Sequence, residues 1–226
     1  MPFGLTNAPA TFQSLMNEVF DNQIRDFVLV FFDDILVYSP SLEKHISHLR
    51  TVLELLSSHT LYVKKSKCEF AKSGVEYLGH RISQHGVEAD KEKIRAMIDW
   101  PVQQTLKALR GFLGLTGYYR WFVAHYGLIS RPLTQLLKKG VFKWCPEAES
   151  TFNKLKSAMA STPVLAMPDF SKKFILEIDA CHSGVGDVLM QEGKPIAFLS
   201  KVFANRHLSL STYEKELMAV IMAMQK

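Results

Sequence analysis

Two adjacent carboxylates, Asp33 and Asp34, interrupt an apolar run that extends from Phe27 to Tyr38. The other residues of that run are aromatic, β-branched or aliphatic, which reads as two short buried strands. An ionised carboxylate in such a setting is costly unless a turn exposes it or a partner neutralises it. The residues alone leave two readings open. Asp is a favoured turn residue, so the pair fits the tip of a hairpin. Two carboxylates held at a strand tip also suit a hard divalent cation that prefers oxygen ligands.

The totals bound what can surround this pair. A chain of 226 residues holds one large or two small domains, and 47% hydrophobic residues supply a core. The net charge of +5 is a mild lean toward polyanions. Cys68, Cys145 and Cys181 are odd in number and form no Cys-x-x-Cys pair. That pattern argues against a zinc ribbon or a disulfide framework and for a reducing, intracellular setting, cytoplasmic or nuclear. No apolar stretch reaches the roughly 18 residues of a membrane span, so no membrane partner is expected. The first residues lack the basic and long apolar regions of a signal peptide.

Periodicity supplies the elements. Phe12, Leu15, Met16, Val19 and Phe20 form a helical stripe. Ser39, Pro40 and Ser41 make a helix entry, and residues 41–58 are predicted as an amphipathic helix with Leu42, Ile46, Leu49, Val52, Leu53 and Leu56 on one face. His45 and His48, three apart on it, lack a nearby third metal ligand and read as surface histidines. Short strands are expected at Leu61–Val63, Cys68–Phe70, Val75–Leu78 and His80–Ile82. Asp90 and Thr105 each cap a helix. Residues 118–122 mix aromatic and basic side chains; they suit either nucleic-acid contact or a core with a surface arginine, and burial tendencies favour the core. Residues 138–140 read as a linker, and Pro146 opens a helix with Phe152, Leu155 and Met159 inward. Three strands follow, at Phe174–Asp179, Val185–Gln191 and Pro195–Ser200, as an antiparallel meander. Ser211 and Glu214 make a capping box for a last helix, whose apolar face is expected to be Tyr213, Leu217, Val220, Ile221 and Met224. That helix is still running at Lys226, which reads as a domain cut in mid-element.

The motifs taken together resemble a known family. Residues 1–13, with Pro2, Phe3, Gly4, Leu5, Thr6, Asn7 and Gln13, are similar to a signature of reverse transcriptases from gypsy-type LTR retrotransposons. Phe31, Phe32, Asp33 and Asp34 resemble the metal box of the same palm domain, and Tyr77–His80 its primer grip. Residues 109–122 are similar to the thumb and connection pattern of these elements. Phe174–Ala180 with Gly184–Gly186 resembles the first strands of their RNase H domain. These motifs occur in the family's order over nearly the whole chain.

The resemblance implies an α+β fold: a partial palm over 1–84, thumb and connection helices over 85–140, and the start of an RNase H-like domain over 141–226. It implies an RNA-directed DNA polymerase with linked RNase H. The partners would be an RNA template, a DNA primer, their RNA–DNA hybrid and dNTPs, with Mg2+ or Mn2+ as cofactor. Asp33 would be a metal ligand and Asp34 its assistant; Asp179 and Glu216 would be RNase H carboxylates. Phe3, Gly4 and Phe31 would line the nucleotide pocket, and Leu78, Gly79 and His80 would form the primer grip. Periodicity alone does not choose Glu216 over Glu214. Asp187 departs from the family, which has a small residue there, and reads as a surface charge or a local lesion. A further palm Asp is expected before residue 1 and more RNase H carboxylates after residue 226, so these 226 residues alone are expected to be inactive. The alternative is a catalytically dead retroelement remnant that at most binds nucleic acid.

Overall fold

The computed structural model describes residues 7–138 and 140–225. The chain divides into two compact units, Met1–Tyr77 and Leu78–Lys226. Among the described residues, seven α-helices and eight strands, with antiparallel pairing in two hairpins and a three-strand meander, give an α+β architecture. No described helix is long and apolar enough to cross a membrane.

The first unit is built on the interrupted apolar run. Helix α1 (Ala8–Val19) is followed by strands β1 (Val28–Phe31) and β2 (Asp34–Val37), then helix α2 (Leu42–Ser58) and strand β3 (Gly74–Tyr77). Met16, Val19, Phe20, Val28, Val52 and Leu56 form its buried core. The hairpin is buried on one side only: Val28 is enclosed, whereas Leu29 and Phe31 face solvent. The two strands are therefore not the fully buried pair that their composition suggested, because a period of two sends alternate side chains to opposite faces. Ser41 caps α2, its hydroxyl accepting from Lys44 N–H. Residues 61–63 and 68–70 are irregular, flanking a 3-10 turn at Lys65–Lys67, and so are not the strands expected there. Tyr62 and Phe70 point outward, so their β propensity finds no sheet to join.

The second unit opens with the hairpin β4 (His80–Ser83) and β5 (Gly86–Ala89). Helices α3 (Lys91–Ile98), α4 (Leu106–Tyr118), α5 (Tyr126–Gln135) and α6 (Pro146–Ala160) follow. Asp90 accepts from Glu92 and Lys93 N–H and Thr105 from Ala108 N–H, the two caps read from sequence. These helices enclose Met97, Leu109, Phe112, Leu133, Phe152, Leu155 and Met159. Phe112 and Phe152 meet at 4.5 Å between centroids, and Trp144 stands edge-on to Phe152 at 5.7 Å.

The meander β6 (Ile175–Cys181), β7 (Gly184–Gln191) and β8 (Lys194–Val202) forms one sheet in that order, followed by helix α7 (Thr212–Met224). Helix α7 lies on one face through Ala219, Met218 and Met222, against Val185, Ile178 and Phe203. Its buried side is Lys215 and Ala219, while Tyr213, Leu217, Val220, Ile221 and Met224 are exposed. The expected apolar face is thus the outward one. The small Ala219 allows close approach to the sheet, and Lys215 is tolerated inside because its ammonium donates to Leu208 O at 2.9 Å.

Helix α5 covers the other face. Gly127 N–H donates to Ser200 Oγ at 2.5 Å, and a side chain at Gly184 or Gly186 would collide with Leu128 or His125. The three tryptophans all lie in the second unit, so indole fluorescence reports on it alone. Phe152→Ala is expected to destabilise that unit by about 3–5 kcal/mol, as for other enclosed aromatics. The check is the urea midpoint followed by tryptophan emission.

Candidate functional site

The carboxylates sit on a two-residue turn. In the register of the hairpin Phe31 faces Asp34, so Phe32 and Asp33 form the turn and Asp34 opens β2. Phe32 has φ 50°, a left-handed conformation that costs a bulky residue about 1–2 kcal/mol. A side chain from α1 holds it there. Gln13 Oε1 accepts from Phe32 N–H at 2.7 Å, and Gln13 Nε2 donates to Val30 O at 3.3 Å and to Asn17 Oδ1 at 2.8 Å. Gln13 carries no role on sequence grounds; the available signal is a polar residue beside the stripe of Phe12 and Met16.

Asp33 and Asp34 are both exposed, and neither carboxylate enters a described hydrogen bond or ion pair. Burial and, second, the charge of Asp34 raise the Tyr77 phenol above its ordinary value. Phe31 is half exposed and packs edge-on against Phe32 at 4.6 Å, so it is not a core residue. Phe3 and Gly4 lie outside the described residues.

Leu78 and Gly79 precede β4 with φ 50° and 71°. Tyr118 Oη donates to Leu78 O at 2.6 Å, and Tyr119 Oη donates to Gly79 O at 2.7 Å. His80 packs among Tyr118, Tyr119 and Phe122 at 5.4–5.6 Å between centroids. Within residues 118–122 Tyr119 and Phe122 are core, Trp121 is partly buried, and Tyr118 and Arg120 are exposed.

Asp179 lies on β6, opposite Gly186, and is exposed. Glu216 lies exposed on α7, which packs against residues of β6. Glu214 is already committed: its carboxylate accepts from Ser211 N–H at 2.8 Å and Ser211 Oγ at 2.7 Å, and these bonds lower its pKa. The geometry thereby separates two glutamates that periodicity leaves equivalent, with Glu216 the uncommitted one.

The reverse transcriptase (RNA-dependent DNA polymerase) family profile matches residues 1–82, and that of the RNase H-like domain found in reverse transcriptase matches residues 144–226. The Pol polyprotein of Drosophila melanogaster transposon 297 is 40% identical over 99% of the chain, and that of transposon gypsy is 36% identical over 100%. The chain belongs to the reverse transcriptase–RNase H region of LTR-retrotransposon Pol polyproteins. It spans about a fifth of the length of these curated relatives, 21% and 23%. The solved foamy viral protease-reverse transcriptase in complex with RNA/DNA hybrid superposes with a TM-score of 0.88, at 26% identity, over 100% of this chain and 31% of that one. The same protein in complex with dsDNA gives 0.89 at 27% identity, covering 100% of this chain and 48% of that one.

Magnesium, which this reverse transcriptase family implies, suits the donors at the palm hairpin. Mg2+ typically takes one or two carboxylates and completes its octahedron with water and substrate phosphates. Asp33 and Asp34 offer two accessible, uncommitted carboxylates on a fixed turn. Among the described residues no group of three or more His, Cys, Asp or Glu gathers as a metal cage. In the RNase H-like domain Asp187 is no surface charge: it is 4% exposed, and its Oδ1 has no partner. It lines a cavity of about 250 Å³ with Arg120, Trp121, Lys201 and Met222.

Burial raises the Asp187 carboxyl from 3.8 to about 6. The fold therefore favours its neutral form. That contribution is complete below about pH 3.8 and is lost as the pH rises to about 6, above which the folded chain carries the full cost of the charge. Asp187→Asn is expected to stabilise the protein by about 1–2 kcal/mol at neutral pH and to make no difference near the ordinary carboxyl pKa. Paired thermal melts between acid and neutral pH check both the size and the sign.

Proposed function

We propose that the parent protein is an RNA-directed DNA polymerase with a linked RNase H activity. It extends a DNA primer along an RNA template with dNTPs and cleaves the RNA of the resulting hybrid. Residues 1–84 are assigned to the palm, 85–140 to thumb and connection, and 141–226 to the start of the RNase H-like domain. The observation that carries the reading is the Asp33-Asp34 pair, exposed and free of protein bonds on a turn that Gln13 holds. The solved relatives with RNA/DNA hybrid and dsDNA support the choice of partners.

Bound at this turn, Mg2+ or Mn2+ would lower the charge on the attacking primer hydroxyl and on the leaving phosphate oxygens. The chain's own contribution is position. Gln13 fixes the backbone on which Asp33 rides, and a ligand held by a rigid frame keeps the geometry that such chemistry requires. Asp33, in the turn, would take the metal; Asp34, at the start of β2, would assist it or hold local geometry. Phe31, with Phe3 and Gly4, lines the nucleotide pocket, and its exposed ring offers a flat surface to a base or sugar. Leu78, Gly79 and His80 bear on the primer. Asp179 and Glu216 hold the ion for hybrid cleavage, with Glu214 kept out by its cap.

In the parent polymerase, Asp33→Asn is expected to lower kcat for primer extension by at least about 100-fold while template-primer binding is retained. Extension at the wild-type rate would remove Asp33 from the metal site. The 226 residues alone carry Asp33 and Asp34 without the further palm Asp that the resemblance implies. The purified segment is therefore expected to show neither extension nor hybrid cleavage with either metal. Robust extension by the pure segment would overturn this, and with it the reading of the chain as a dead remnant.

A further inference from the structure

Leu78 and Gly79 are two consecutive residues in the left-handed region, with φ 50° and 71°. That pair of conformations is the one a type I′ turn needs, and it selects Asn, Asp or Gly at both central positions. Gly79 fits the rule. Leu78 does not, since its Cβ and branched side chain disfavour positive φ and no polar group of its own bonds the local backbone. Something outside the turn must hold it.

Two hydroxyls are placed to do so. Helix α4 ends at Tyr118, and Tyr119 follows as its C-cap. Tyr118 Oη donates to Leu78 O at 2.6 Å and Tyr119 Oη to Gly79 O at 2.7 Å, so each carbonyl of the turn receives one tyrosine. Asp90 N–H adds a second bond to Gly79 O at 3.2 Å. Tyr119 is 1% exposed, and its ring is fixed between His80 and Phe122. A Cβ at position 79 would stand 3.0 Å from Tyr119 Oη, so a side chain there would press on the hydroxyl. Burial, then the charge of Asp90 and the neighbouring Tyr118, push the Tyr119 phenol up to about 12, which keeps it a neutral donor at every working pH.

We infer that Tyr118 and Tyr119 are positioning residues that clamp the Leu78-Gly79 turn in its left-handed conformation, and so set the backbone that this turn presents to a primer strand. The second half of the inference rests on the primer-grip reading above; the first half does not. The tyrosines touch no reacting atom. They act on nucleic acid only through the turn, by making a costly conformation the resting one, so that binding need not order it.

The test separates the two halves. In the 226-residue chain, Tyr118→Phe and Tyr119→Phe keep the rings and delete only the hydroxyls. Each is expected to quicken amide hydrogen exchange in the peptide spanning the turn by about fivefold, the loss of one net hydrogen bond, with helix content by circular dichroism unchanged. Leu78→Asn added to the double variant is expected to restore slow exchange, because Asn accepts the left-handed region. Unchanged exchange in the double variant, or no rescue by Leu78→Asn, overturns the clamp. In the parent polymerase the double variant is expected to raise KM for template-primer with kcat held. Quickened exchange with KM unmoved leaves the clamp standing and overturns the primer-grip reading alone.

Discussion

Two bulky residues, Phe32 and Leu78, enter the left-handed region at turns, and each turn is met there by a polar side chain from a helix distant in sequence. Phe32 is held by the Gln13 amide, and Leu78 by the Tyr118 hydroxyl. His125, with φ 57°, starts α5 from a position over the bare backbone of Gly186. Phe32 and Leu78 would relax if their partners left, because the local cost of about 1–2 kcal/mol is comparable to one or two net hydrogen bonds. Helices α1 and α4 therefore do more than fill a core: each carries a polar side chain that specifies a turn distant in sequence.

The carboxylates divide by the same logic. Asp90, Asp169 and Glu214 are consumed by backbone N–H groups at helix starts or turns. Asp33, Asp34, Asp179 and Glu216 are left exposed without such bonds among the described residues. A carboxylate at a hairpin tip or on a helix flank with nothing to accept keeps its charge available for a cation. Asp187 is the exception, a buried carboxyl whose Oδ1 accepts no hydrogen bond.

What could be read from sequence was what depends on neighbours in the chain. Capping by Asp90, Thr105 and Ser211 stands as expected, as does the order of the meander, and of the entry at residues 39–41 it is Ser41 that caps. The hairpin around Asp33 was legible because residues that favour a turn interrupt an apolar run there. Helix α5 was not, since Gly127 and Pro132 blur its period and its start lies in a left-handed histidine. Strand β5 is too short to signal itself, and its Val87 pairs with the distant Leu165. The face of α7 misled for a different reason. Hydrophobicity marks Tyr213, Leu217 and Ile221, but the sheet accepts the small Ala219, a matter of shape that no moment along one helix contains. For the site, the Asp pair was visible and its supports were not: Gln13 lies 19 residues from Phe32, and each tyrosine lies 40 from its carbonyl.

The alternation of Gly184 and Gly186 with Val185 and Asp187 has a consequence for how β7 finds its place. Glycine occupies the side that meets α5, where Leu128 and His125 approach the backbone, and side chains occupy the side that meets α7. A slip of one residue against β6 or β8 would exchange the two sides and drive Val185 into the space of a helix that tolerates no Cβ there. The bare strip thus acts as a key for register: it contributes almost no apolar contact of its own, yet only one alignment of three strands lets both helices close on the sheet.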